Sequence, residues 1–209
     1  KLRKHYIILT YWIKMIWIRY PKMQKIAKKV TKMSEYKLFY YMNPVEVQVL
    51  FTYAKSEKIK TAMYIQFFAG LRIAETTKLK PIDVDFSKDI LVVRSGKGNK
   101  DRAVPLHPRL KEQIFHYKGT KPFCDMSETN AYKVYNTTYQ RALKDKAIKP
   151  DINMGTHIFR HSFAMSQLDA GTDIRQLQGL MGHSNIKDTM KYLHLKPTAP
   201  EQWMQSNIF

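Results

Sequence analysis

The spacing of apolar residues changes character twice along the chain. From Asn43 to Gly70, apolar side chains recur at helical spacing, and the Asn43-Pro44 pair that opens this stretch is typical of a helix N-terminus. A further short helix is predicted over residues 72–79, and Pro81 ends it. We therefore expect this part of the chain to be helical.

From residue 82 the apolar residues form three short runs instead, at 84–86, 90–93 and 103–106, and a Gly-Lys-Gly-Asn turn joins the last two. This pattern predicts a small antiparallel sheet. Helical spacing then returns over 109–117, 129–144, 156–170, 173–180 and 185–195. The predicted fold class is α+β, mostly helical, with a small three-stranded antiparallel sheet.

The charge of the chain narrows the choice of partner. Its 36 Lys and Arg residues outnumber 17 Asp and Glu, giving a formal net charge of +19, which points to a polyanion. Nucleic acid is the first candidate, although anionic lipid surfaces also attract basic proteins. With 44% apolar residues, the chain has enough apolar surface to fold.

The first 42 residues are the most basic part of the chain. They hold eleven Lys or Arg against the single acid Glu35, interleaved with aromatic residues. A helical region that packs its aromatic side chains inward and offers cations to phosphates has this pattern, and so does a solvated basic face on a core helix. We expect a domain boundary near Asn43. Because the chain opens with Lys1 rather than Met, we also expect it to be a piece of a longer protein.

Two absences bear on location. The apolar stretch 6–18 is interrupted by Lys14 and is shorter than the roughly 20 residues that span a bilayer, so we expect no membrane segment. The lone Cys124 can form neither an internal disulfide nor a cysteine-based zinc site, and no secretory signal is recognisable. The cytoplasm is the predicted location.

Candidate chemistry lies in the last third of the sequence. His157 and Arg160 are three residues apart, so on a helix both side chains can meet one ligand, such as a phosphate. Further along, Gly182-His183 is followed nine residues after the histidine by Tyr192. Taken alone, the His-x-x-Arg pair is weak, because ordinary helices contain it, and the added Gly-His and Tyr make the pattern specific.

This arrangement resembles the tyrosine recombinase family, which includes phage-type integrases and Xer-type recombinases. The resemblance runs from about residue 43 to residue 195. The second box of the family is matched in order and spacing by His157, Arg160, Gly182-His183 and Tyr192.

The first box is matched as well. Residues 70–75, Gly-Leu-Arg-Ile-Ala-Glu, are similar to the segment that supplies the family's first catalytic arginine, which identifies Arg72. The hairpin over residues 96–102 is similar to the turn that bears a catalytic lysine, and Lys97 occupies that place. All six functional positions of the family are present.

The resemblance implies a site-specific recombinase, or integrase, that cleaves and rejoins DNA through a 3′-phosphotyrosyl link. Elementary chemistry agrees, because the guanidiniums of Arg72 and Arg160 suit the negative charge of a pentacoordinate phosphorus, and His183 adds a donor. Lys97 is the expected general acid for the leaving 5′ oxygen, and His157 is a candidate for assisting deprotonation of the nucleophile Tyr192. Neither ATP, a metal nor a cofactor is expected, and the sequence contains no Walker-type loop.

Other polar residues receive structural interpretations. Glu75 is expected to orient Arg72 or a neighbouring histidine rather than to exchange protons. His161 and His194 are interpreted as structural, and Ser162 as helix packing, because the sharp glycine elbow of hydrolases is missing around it.

The resemblance also implies an organisation. Residues 1–42 would be the C-terminal part of a helical core-binding region, and residues 43–209 the catalytic domain. Members of the family act on double-stranded DNA sites as four protomers, whereas an isolated catalytic fragment can be monomeric. Three alternatives stay open: a type IB topoisomerase, a DNA-binding protein without activity, and a protein of the membrane surface.

Overall fold

The structure of the protein is a computed structural model, and it describes residues 41–94, 101–148 and 155–193. Within these residues the chain forms helices around one small sheet. The helices are α1 (Pro44–Tyr53), α2 (Glu57–Ala69), α3 (Ile73–Thr76), α4 (Pro108–Phe115), α5 (Glu128–Lys144), α6 (Ile158–Asp169), α7 (Ile174–Met181) and α8 (Ile186–Leu193), with one 3₁₀ turn at Pro81–Asp83. The region 1–42 that we assign to DNA binding lies almost wholly outside the described residues.

The predicted helix start at Asn43 is confirmed. The Asn43 side chain accepts a hydrogen bond from the backbone N–H of Glu46, and the Glu46 carboxylate accepts one from the backbone N–H of Asn43. This reciprocal pair satisfies two donors that a helix end leaves unpaired, and Pro44 occupies the first turn, where no donor is needed.

The stretch up to Gly70 differs from the expectation of continuous helical spacing. It forms two helices, because Ala54 leaves the helical conformation and the hydroxyl of Ser56 accepts a hydrogen bond from the backbone N–H of Ile59 to begin α2. A serine at an N-cap position starts a new helix by accepting a hydrogen bond from a nearby backbone N–H. The spacing of apolar residues carries no information about such a cap, so it did not predict the break.

The predicted three-stranded antiparallel sheet is confirmed. Its strands are β1 (Val84–Asp85), β2 (Ile90–Val93) and β3 (Arg102–Pro105), in the order β1-β2-β3. The register pairs Leu91 with Val104, both of which are buried, and Val93 with Arg102. The turn between β2 and β3, with Lys97, lies in residues 95–100, outside the described residues.

Helix α2 lies at the centre of the core. It packs against α6 on one side and α4 on another, while α1 packs against α5. Aromatic rings from α1, α5 and α6 also meet in this core, with the rings of Phe51 and Phe159 stacked at 6.2 Å and that of Tyr135 edge-on to Phe159 at 5.3 Å. Ser162 is buried and donates its hydroxyl to the carbonyl of Ile158, which agrees with its predicted packing role.

Among the residues that the structure describes, no helix combines the length and the apolar character needed to cross a bilayer.

A glycine is required where α2 ends. Gly70 adopts φ +64°, and a Cβ at this position would lie 2.4 Å from Cδ1 of Phe163 on α6. Any other residue is therefore disfavoured at position 70 for two reasons: the left-handed backbone conformation and the close approach of α6. This turn also sets the position of Arg72, a predicted site residue, which follows Gly70 by two residues.

We expect Gly70→Ala to destabilise the fold by about 2 kcal/mol or more, because it adds left-handed strain and a clash with Phe163. Urea unfolding followed by circular dichroism measures this change. Gly179→Ala is the matched control, since Gly179 is an exposed residue of α7 with nothing within 4 Å of an added Cβ. That variant should gain about 0.5–1 kcal/mol. Equal stability of the two variants would contradict the packing described for Gly70.

Candidate functional site

The carboxylate of Glu75, on α3, holds three arginines together. Its Oε1 accepts hydrogen bonds from Nη1 of Arg72 at 2.8 Å and from Nη1 of Arg102 at 3.0 Å. Its Oε2 accepts from Nη2 of Arg102 at 2.8 Å and lies 3.8 Å from Nη1 of Arg160. One negative charge thus lies among three positive charges, which leaves the cluster with a net positive charge.

The protonation state of Glu75 follows from this contact set. Burial by itself raises the pKa of the carboxyl, but the hydrogen bonds and charges of Arg102 and Arg72, together with the backbone N–H of Arg72, outweigh burial and lower the pKa to about 2. Glu75 is therefore ionised at neutral pH. This contact agrees with the predicted orienting role for Arg72, and it extends to two further arginines.

Arg72 lies at the residue before α3 rather than inside a helix over 72–79 as we expected, because α3 is only Ile73–Thr76. Its backbone is extended, with φ −70° and ψ 154°, and this conformation turns the chain out of the Gly70 bend. Its Nη2 donates to the carbonyl of Gly182 at 3.0 Å. The side chain of Arg72 is 22% exposed, against 4% for Arg160, so Arg72 is the more accessible of the two.

Arg160 is buried in the first turn of α6. Its guanidinium donates to the carbonyl of Gly70 and, at 2.7 Å, to the carbonyl of Met181. Burial and the charge of Arg72 lower its pKa to about 10, which keeps the group protonated at neutral pH. The two predicted arginines are therefore brought together, and each donates to a carbonyl at the C-terminal end of α7.

Arg102 is a member of this cluster that the sequence analysis missed. It lies at the start of β3, with its side chain 11% exposed, and its Nε donates to the carbonyl of Leu180 at 2.9 Å. Gly182 leaves room for it, because a Cβ on Gly182 would lie 2.8 Å from Nη1 of Arg102. Arg102 pairs with Val93 in the sheet. The alternation of residues along a strand does not reveal that this side chain contacts Glu75, which lies on another element.

His183 joins the site from the turn between α7 and α8. Gly182 adopts φ +63° and ends α7, so the chain reverses and His183 follows beside the arginines. Its Nδ1 lies 2.9 Å from Oγ1 of Thr189, on α8. Burial and the charges of Arg160 and Arg72 lower its pKa to about 4, so the imidazole is neutral at pH 7.

Tyr192 is buried on α8, 4% exposed. Its hydroxyl oxygen lies 2.8 Å from Nδ1 of His161, with the two ring centroids 5.7 Å apart. Burial raises the pKa of Tyr192 to about 12, and the charges of Arg160 and Arg72 offset part of that rise. His161, for which we expected a structural role, thus has its ring against this hydroxyl.

His157 precedes α6 as its N-cap residue and is exposed, while Arg160, three residues later, is buried in the first turn of the same helix. Burial of part of the ring and the charges of Arg160 and Arg72 lower its pKa. Its ring centroid lies 6.0 Å from that of His161. Two other predicted positions, Lys97 and His194, lie outside the described residues.

An open cavity of about 790 Å³ lies beside the cluster, between α3 and β2. Arg72 and Glu75 line it, together with basic, acidic and apolar residues that include Lys78, Lys80 and Arg94. Within the described ranges, no group of three or more His, Cys, Asp or Glu residues is arranged to hold a metal ion. Fixed guanidiniums with partly used N–H donors suit an oxyanion such as a phosphate.

The chain is similar to known recombinases in sequence. It is 35% identical over 153 residues to the tyrosine recombinase XerA of Pyrococcus horikoshii, an alignment that covers 70% of this chain and 54% of the relative. The chain thus spans about half the length of this curated relative.

The fold is similar to those of solved recombinases as well. The catalytic domain of bacteriophage HP1 integrase superposes with a TM-score of 0.61 at 22% identity, over 81% of this chain and 95% of that domain. The XerH site-specific recombinase, solved bound to a palindromic difH substrate as a post-cleavage complex, gives a TM-score of 0.63 at 22% identity, over 80% of this chain and 53% of that one. At this identity the two likenesses establish the fold.

The family model described as the phage integrase family matches residues 41–198. The match begins two residues before the capping box of α1 and takes in Glu75, its three arginines, His183 and Tyr192. It covers most of the chain and agrees with both the fold and the relative. The chain belongs to the phage integrase family.

Proposed function

We propose that this chain is the catalytic part of a site-specific DNA recombinase in which Tyr192 attacks a phosphodiester. One observation carries the proposal: Arg72 and Arg160, which are far apart in the sequence, meet at the carboxylate of Glu75, and their charges act on both His183 and Tyr192. Two arginines whose charges act on a buried phenol fit phosphoryl transfer better than any other reaction class.

The arginines account for binding and activation of the scissile phosphate. A phosphodiester attacked in line gains negative charge on its nonbridging oxygens, and each guanidinium can donate to two of them. Arg160 is held on both sides by main-chain carbonyls, and Arg72 is held by Glu75 and Gly182, so little reorganisation is needed on binding. His183, oriented by Thr189, supplies a further hydrogen bond to the phosphate.

The remaining steps concern protons. The Tyr192 hydroxyl loses its proton as its oxygen bonds to phosphorus, and the leaving 5′ oxygen gains one. Lys97 remains our predicted general acid, on the hairpin next to Arg102, and His157 remains the predicted assistant at Tyr192. The 3′-phosphotyrosyl product keeps the energy of the broken bond, so a 5′ hydroxyl can rejoin it without ATP.

The partner in this proposal is double-stranded DNA. A net charge of +19 favours it, and the recombinase XerH, which has the same fold, was solved on its DNA substrate. We further propose that four protomers assemble on two DNA sites in the cytoplasm, while the fragment alone is a monomer. Residues 1–42 would then belong to a second DNA-binding region, outside the described part of the chain.

We expect Tyr192→Phe to abolish a covalent link between protein and DNA, because the variant keeps the ring but lacks the attacking oxygen. The substrate is a pool of random-sequence duplexes with randomly placed nicks, in which a cut close to a nick releases a short fragment and traps the link. Adducts are separated by denaturing gel, and sequencing of the trapped DNA identifies the preferred site.

Tyr132→Phe is the matched control, since Tyr132 is an exposed tyrosine on α5. It should form the adduct at the wild-type level. If wild-type protein leaves the whole pool unmodified, or if Tyr192→Phe still becomes attached, the proposed function is wrong. Relaxation of supercoiled plasmid without any recombinant product between two copies of the trapped site would favour a type IB topoisomerase instead.

We expect Glu75→Gln to lower the free energy of unfolding by about 3 kcal/mol at pH 7, because three guanidiniums lose their shared counter-charge while the shape is kept. The folded-state pKa of Glu75 is about 2, against 4.5 for an unperturbed glutamate, so its contribution to stability is complete above about pH 4.5. It is lost as the pH falls from about 4.5 toward 2. The gap between wild type and variant should therefore narrow in urea titrations at about pH 3.

The control for this prediction is Asp89→Asn, which removes the partner of Lys111 from a pair in which both side chains are substantially exposed. Its effect should stay below about 1 kcal/mol at either pH. A Glu75→Gln protein as stable as wild type at pH 7 would show that the arginines do not need this carboxylate.

A further inference from the structure

The hydroxyl of Tyr192 is already hydrogen-bonded, and the partner is His161. The 2.8 Å separation from Nδ1 is short enough for direct proton transfer between the two groups. His161 occupies a position that the sequence analysis left as structural, while the expected assistant, His157, is exposed at the N-cap of α6.

Packing fixes the pairing, because both residues belong to helices that share a core. Tyr192 packs with Phe163, Met165 and Leu177 in one buried apolar cluster, and α6 contacts α8 directly. His161 lies one residue after Arg160, whose guanidinium is anchored at Gly70 and Met181. Side chains held by packed helices keep a reactive geometry more reliably than side chains on loops.

The charges around His161 keep its ring able to accept a proton. Charged or titratable groups face it from its own helix, His157 and Arg160, from the turn after α7, His183, and from α8, Tyr192. Burial, followed by His157, Arg160 and His183, lowers the pKa of His161 to about 4, so the imidazole is neutral at pH 7. A neutral imidazole has one nitrogen without a proton, and hydrogen-bonding to a protonated phenol favours Nδ1 as that nitrogen.

We propose that His161 accepts the proton of Tyr192 during attack on DNA, an inference that rests on the proposed function. The Oη–H bond of Tyr192 breaks and the proton passes to Nδ1 of His161, while Oη bonds to phosphorus. The bond from phosphorus to the 5′ oxygen breaks, and that oxygen takes a proton from the general acid, which we assign to Lys97. Rejoining runs the same transfers backwards, so His161 returns the proton to Tyr192.

DNA binding itself favours proton transfer from Tyr192 to His161. The scissile phosphate brings negative charge to Arg72 and Arg160, and the cationic field of Arg160 is one of the causes that lower the pKa of His161. Once that field is partly neutralised, a protonated imidazole becomes less costly at the same place. The proton acceptor is thus weak in the free protein and stronger in the complex.

The test uses the full chain and the duplex site recovered by adduct trapping, nicked to trap the cut strand. His161→Asn is the informative variant, because its amide oxygen can occupy the place of Nδ1 and accept a hydrogen bond but cannot take the proton. His157→Asn is the matched control on the same helix end. Single-turnover cleavage rates are measured across pH, and DNA affinity is measured in parallel.

We expect His161→Asn to cleave about a hundredfold more slowly than wild type at neutral pH, with unchanged DNA affinity. Its rate should rise about tenfold per pH unit, because attack then depends on the small fraction of Tyr192 that is already ionised. His157→Asn should lose less activity and keep the wild-type pH profile. If His157→Asn instead shows the larger loss and the steep profile, the proton goes to His157 and our inference is wrong.

A second substrate distinguishes deprotonation of Tyr192 from protonation of the leaving 5′ oxygen. Its result is a comparison of two substrates within each variant, so differences in stability between variants do not affect it. With sulfur in place of the bridging 5′ oxygen, the leaving group departs without a proton. This substrate should restore cleavage to Lys97→Met but not to His161→Asn. Restoration of His161→Asn, or a wild-type rate for it on the ordinary site, overturns the assignment. In either case wild-type adducts would still support the proposed function, and their absence would remove it.

Discussion

The shared ion pair between Glu75 and three arginines is the interaction on which the rest of this site depends. A carboxylate that is 8% exposed costs free energy to bury unless it is paired, and guanidiniums as buried as those of Arg160 and Arg102 cost free energy as well. The buried carboxylate therefore requires the guanidiniums, and the guanidiniums require the carboxylate. Because the cations outnumber the anion, the cluster is stable yet still positive.

This constraint explains why the site is assembled from distant segments. Arg72 and Glu75 come from one tight turn after α2, Arg102 comes from the sheet, and Arg160 comes from α6. The arginines also donate to three consecutive carbonyls, those of Leu180, Met181 and Gly182, so the same cluster fixes the end of α7. His183 follows that end directly, and its position is therefore a consequence of the ion pairs.

The tyrosine lies in a different environment on the same framework. Tyr192 is buried among apolar side chains and hydrogen-bonded to His161. Burial opposes ionisation of its hydroxyl, whereas the charges of Arg160 and Arg72 favour it. A phenol in such a position is unreactive until something changes the balance of charge. The free protein thus keeps this phenol protonated at neutral pH.

The sequence by itself determined the local and compositional features of this protein. The cap at Asn43, the three short strands and the helices from 109 onward follow from side-chain pattern, which acts within a few residues and can be read from spacing. The order and spacing that match a known family also marked Arg72, Arg160, His183 and Tyr192 as candidate site residues, and their catalytic roles stay predictions. Only the tertiary structure decided that Ser56 divides the first long helical stretch, that Arg102 joins Glu75, and that His161 contacts Tyr192. Those outcomes depend on which side chains meet across separate elements, and no periodicity along one segment records contacts made by another.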